Sequence, residues 1–92
     1  MIADVPKPPI VAAVKAVYPR APIHVERICT VDRAALVRLR VRGREAYVAL
    51  ERPARRWRVV WVDGSVVRGI PPARRSVVAT EVARLRTRCL AP

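Results

Sequence analysis

The chain has no asparagine, no glutamine and no phenylalanine, and it is poor in glycine, histidine and acidic residues. Each shortage closes a route. Gly43, Gly64 and Gly69 lie too far apart to form a phosphate-binding glycine loop. His24 is the sole histidine, Cys29 and Cys89 are the only cysteines, and no Cys-x-x-Cys spacing occurs, so the ligand set falls short of a structural zinc site. No apolar run reaches the roughly eighteen residues that a membrane-spanning helix requires. The stretch from Met1 to Pro9 lacks the basic-then-apolar layout of a signal peptide. Export stays open, because Met1 can stand in place of a removed leader.

The search for catalysis meets the same scarcity. A cysteine–histidine nucleophile requires Cys29 and His24 to meet, yet five residues apart on one strand they point to opposite faces. Ser65 and Ser76 stand in no nucleophile-elbow context. The carboxylates Asp4, Glu26, Asp32, Glu45, Glu51, Asp63 and Glu81 are scattered, and most read as turn formers or partners of nearby arginines. The expectation is a protein without catalytic machinery and without a cofactor.

What the chain has in excess is positive charge. Of 19 basic residues only Lys7 and Lys15 are lysines, and the net charge is +12. A GC-rich genome favours arginine, alanine and valine codons, and a hot habitat removes thermolabile asparagine and glutamine; either accounts for this bias, and the second points to a thermostable protein. In either case such a surface attracts polyanions in a salt-dependent way.

Ninety-two residues make one domain, and a 52% hydrophobic fraction argues against disorder. Residues 1–9 read as an extended lead-in, and 10–92 as the domain. Ile10, Val14, Val17 and Tyr18 fall at helical spacing, and Pro19 and Pro22 end that helix. His24–Val31 is a candidate strand with Val25, Cys29 and Val31 on one face and Arg27 an awkward fourth member. From Ala35 to Arg42 alternation is nearly perfect: Val37, Leu39 and Val41 point one way, and Arg38, Arg40 and Arg42 the other. Gly43-Arg44 fits the centre of a type II′ turn, which pairs Val41 with Ala46, Leu39 with Val48, Val37 with Leu50 and Arg40 with Tyr47. After the Pro53–Arg56 loop, Trp57, Val59 and Trp61 share one face and Val60 and Val62 the other. Asp63-Gly64 ends that strand, Val66-Val67 forms a short edge strand through which copies of the chain could pair, and from Ala73 to Leu90 a second helix carries Val78, Val82, Leu85 and Cys89 on one stripe. The fold class predicted is α+β: an N-terminal helix, an antiparallel meander of three to five strands and a C-terminal helix, with both helices on one sheet face.

Two features bear on function. A Cys29–Cys89 disulfide would close a loop of about sixty residues and contribute about 4 kcal/mol on a chain-entropy argument. It would also place the protein in an oxidising compartment or a hyperthermophile. The alternative is a pair of buried free thiols. The second feature is the row Arg38, Arg40 and Arg42 beside Tyr47, which Arg58 extends if the next strand is in register. A basic sheet face with an aromatic can hold single-stranded nucleic acid by phosphate contact and stacking. The bland reading is a solvated face with arginine stems lying on Tyr47.

The segments Ala35-Leu-Val-Arg-Leu-Arg-Val, Ala46-Tyr-Val-Ala-Leu and Arg56-Trp-Arg-Val-Val-Trp-Val, together with Pro71-Pro72 and Cys89, resemble small cystatin-like or NTF2-like domains and uncharacterised secreted domains of actinobacteria. The resemblance implies a helix–meander–helix fold and export, and no established activity; the chain is too short for the extra helix and polar pocket of an NTF2-like cone. Two functional classes follow. One is a small non-catalytic structural or interaction module, extracytoplasmic if Cys29–Cys89 is oxidised, with a polyanion or a protein as partner. The other is an intracellular nucleic-acid-binding protein using the basic sheet face.

Overall fold

A computed structural model describes residues 7–90. The element order is α1 (Pro8–Val17), β1 (Ile23–Val31), β2 (Ala34–Val41), β3 (Arg44–Glu51), β4 (Arg58–Val62), β5 (Ser65–Val66) and α2 (Pro72–Leu90). The strands form one antiparallel sheet in sequential order, β1-β2-β3-β4-β5, the α+β meander that the patterning predicts. Helix α1 begins at Pro8, where a proline sacrifices no intrahelical hydrogen bond. Pro8 and Pro9 of the expected lead-in therefore belong to the helix, and residues 1–6 of it lie outside the described residues.

The helices do not share a sheet face. Ile10 and Val14 of α1 pack with Val37, Leu39, Val48 and Leu50. Val78, Val82, Leu85 and Cys89 of α2 pack with Leu36, Ala49 and Val60. Odd and even positions of β2 thus enter opposite cores, and the sheet is the middle layer of three. The arginine-bearing side of β2 is the side α2 covers. Leu36 and Ala49, 3% and 0% exposed, made this legible only in part, because a leucine and an alanine interrupt an otherwise polar register.

Three further expectations are corrected by local geometry. The β2–β3 turn is centred on Arg42-Gly43, both with positive φ (+52° and +78°), the signature of a type I′ turn rather than type II′ at Gly43-Arg44. Pairing shifts by two residues: Val41 faces Arg44, Leu39 faces Ala46, Val37 faces Val48 and Arg38 faces Tyr47. A shift of two preserves each side chain's face, so the core assignment survives while every cross-strand partner changes. In β1 the register slips between Val25 and Arg27, a bulge at Glu26. It leaves Val25 on the α1 side and turns Cys29 and Val31 to the α2 side. In β4 a second irregularity sends Val60 and Trp61 to the α2 side and leaves Val59 and Val62 on the α1 side, which separates Trp61 from Trp57 and Val59.

A candidate anion-binding sheet face and its covalent anchor

Cys29 in β1 and Cys89 in the last turn of α2 form a disulfide across 60 residues of chain. The bulge makes this possible, since without it Cys29 would point toward α1. It also puts His24 and Cys29 on the same face, through their partners Arg40 and Leu36, against the expectation that they diverge. The Cys29 sulfur is engaged by Cys89 and offers no thiolate to a neighbouring histidine. Among the described residues no cluster of three or more His, Cys, Asp or Glu side chains is placed to hold a metal ion.

The disulfide holds the last described turn of α2 against β1. The helix covers the middle of its sheet face, over Leu36, Ala49 and Trp61, and its last turn reaches a small pocket lined by Cys29, Cys89, Arg27, Arg38 and Tyr47. Arg40 lies beyond this pocket, toward the Arg42-Gly43 turn. Arg38 and Tyr47 are direct cross-strand partners. Arg27 faces Arg38 from β1 and His24 faces Arg40. Like charges opposed in this way repel, and Glu26 relieves the strain. Its carboxylate lies 3.3 Å from Arg40 Nε, which donates a hydrogen bond to it, and 3.7 Å from Arg38 Nε. The Arg38 Nε group is shielded from solvent with no hydrogen-bond partner among the described residues.

The other two expected members stand apart. Arg42 is one of the two central residues of the β2–β3 turn and is no longer in line with Arg38 and Arg40. Arg58 pairs with Glu51 at the opposite end of the sheet. There Glu51, 7% exposed, accepts hydrogen bonds from Arg58 Nε (2.9 Å) and from both terminal nitrogens of Arg74 in α2 (3.2 and 3.3 Å). Burial pushes the Glu51 carboxyl up, but the hydrogen bonds and charges of Arg58 and Arg74 outweigh it and hold the group below its ordinary range. At the far side of the molecule burial, and then the Asp63 charge, push the Tyr18 phenol up.

Sequence reasoning counted Glu51 among the turn formers or arginine partners but missed Arg52 and the distant partner Arg74. Parity along β3 places Glu51 on the face of Tyr47 and Ala49, but its partner Arg74 comes from a helix 23 residues further on. No spacing rule reaches that far.

No family model, no curated protein and no solved structure matches this chain. The site has to be read from its own geometry.

Proposed function

We propose that the chain is a small, non-catalytic interaction module of an oxidising, extracytoplasmic compartment, which contacts anionic polymer through the open end of its α2-side sheet face. The observation that carries this reading is the Cys29–Cys89 bond. It ties the last described turn of α2 to edge strand β1, beside Arg38 and Tyr47. Disulfides persist where thiol reductants do not reach, and small domains in such places use them for stability. Arg40 is exposed beyond the last turn of α2, Arg38 and Tyr47 flank that turn, and Glu26 holds the two guanidinium groups in place. None of the described helices is long and apolar enough to cross a membrane.

The deciding measurement is the mass of protein isolated without reductant and treated with a thiol-alkylating reagent. Unchanged mass, with two alkyl groups added only after reduction, is the expected result. Two free thiols in native protein would reject the extracytoplasmic reading.

The direct pairing of Arg38 with Tyr47 favours a second reading, a nucleic-acid-binding protein, since a base stacked on Tyr47 would have its phosphate beside Arg38. A salt titration against single-stranded oligonucleotide separates it. Loss of binding on Tyr47→Ala beyond the effect of salt supports stacking, and binding that depends on salt alone supports the polymer contact.

A further inference from the structure

At the pole of the molecule opposite the Arg38 face, the β1–β2 turn, the end of β3 and the outer side of α2 enclose a groove of about 360 Å³. Four guanidinium groups line it: Arg33 from the turn, Arg52 just after β3, and Arg74 and Arg84 from successive parts of α2. We propose that this groove binds a phosphate dianion, free or as the terminal group of a small phosphomonoester.

The walls are built and tied together. The Arg52 amide donates a hydrogen bond to the Arg33 carbonyl at 2.8 Å, joining the turn to the end of β3. The Arg52 guanidinium carbon lies 5.5 Å from the centroid of the Trp57 ring, so the planar group is stacked rather than free to swing. Arg74 is held by its two hydrogen bonds to Glu51. Ordering long side chains is a cost of anion binding, and here two of them are ordered before any ligand arrives.

Arg52, one of the lining residues, leaves its Nε without a hydrogen bond among the described residues. A phosphate presents several acceptor oxygens in the geometry that a guanidinium fork matches.

Charge favours an anion. The four arginines of the lining face three carboxylates, Asp32, Glu51 and Glu81, and Arg58, outside the lining, offsets part of the Glu51 charge through its hydrogen bond. A phosphomonoester supplies about two negative charges above its second pKa near 6. A diester supplies one, and it continues as a chain on both sides of the phosphorus, past the Asp32 and Glu81 carboxylates. The groove volume falls at the small-ligand end of known binding sites.

The test is calorimetric titration of the intact disulfide-bonded protein in about 150 mM salt, where loose surface charge effects are screened. The probes are inorganic phosphate, glycerol 3-phosphate and dimethyl phosphate. The proposal expects saturable binding at one site by either of the first two, and the tighter of them says whether the free ion or the ester is the natural form. Dimethyl phosphate should bind about tenfold more weakly, the loss of one charge-assisted contact. Affinity for glycerol 3-phosphate should rise about fourfold between pH 5.5 and 7.5, following the second ionisation of the ester near pH 6. R52A should weaken binding about tenfold. R84A removes an exposed helix side chain without touching the core and should act in the same direction. K15A/R20A, at exposed basic positions in α1 and just after it, should leave binding unchanged. Non-saturating heats, equal affinity for dimethyl phosphate, or an equal loss in K15A/R20A would overturn the proposal.

Discussion

Cys29 and Cys89 bind the first strand of the sheet to the last turn of the final helix, so the sheet and α2 form one covalently closed loop. Closing a loop of 60 residues removes a large part of the unfolded chain's freedom. Reduction, or the C29S/C89A pair, is expected to lower stability by about 4 kcal/mol. Guanidinium denaturation with and without reductant measures it. A difference under about 1 kcal/mol would mean that packing of Val78, Val82 and Leu85 suffices to hold α2.

Glu51 gives a pH-dependent contribution. Its carboxyl lies below the ordinary value of 4.5 in the folded protein, through Arg58 and Arg74 acting against burial. A depressed folded pKa stabilises the native state fully above the unfolded value, and that stability is lost as pH falls through the folded value. Stability is therefore expected to fall with acid below about pH 4.5. E51Q should flatten that fall and cost about 1–2 kcal/mol at neutral pH, less than a fully buried pair because the Arg58 and Arg74 side chains are 47% and 41% exposed. Urea titrations of both proteins across this range supply the test.

The two-sided sheet predicts a pattern of coupling. L36A and L85A should each cost about 2–5 kcal/mol. They belong to one cluster and should be non-additive by about 0.5 kcal/mol or more. I10A and L85A lie on opposite sides of the sheet and should add. A double-mutant cycle that couples Ile10 to Leu85 as strongly as Leu36 to Leu85 would contradict the three-layer arrangement.

Arg42 occupies positive φ (+52°) at the first central position of the β2–β3 turn. A side chain larger than asparagine pays about 1 kcal/mol there. R42N, which creates the preferred Asn-Gly pair, is expected to stabilise the domain by about 0.5–1 kcal/mol. Thermal unfolding at matched pH reads the change, and a lower melting temperature would argue that Arg42 makes a contact of its own.

Much of the fold was legible because it rests on local rules. The 3.6-residue spacing of Val78, Val82, Leu85 and Cys89 and the period-two pattern of β2 each bury what they promise. The arginine row was half legible. Arg38, Arg40 and Tyr47 share a face, but Arg42 leaves the row because the turn takes it, and Arg58 leaves it because Glu51 holds it. The phosphate groove was not legible at all, since Arg33, Arg52, Arg74 and Arg84 are drawn from three separate elements.

By itself, the amino-acid sequence determined the element order, the strand faces away from irregularities, the positive surface and the presence of two cysteines at core positions. These follow from side-chain periodicity and composition, which act over a few residues. Only the tertiary structure decided that α1 and α2 take opposite sides of the sheet, that the bulge at Glu26 turns Cys29 toward Cys89, and that arginines at opposite ends of the sheet do different work. A bulge adds one residue and reverses every face after it, and neither that reversal nor the choice of which side a helix docks on is written in any local pattern.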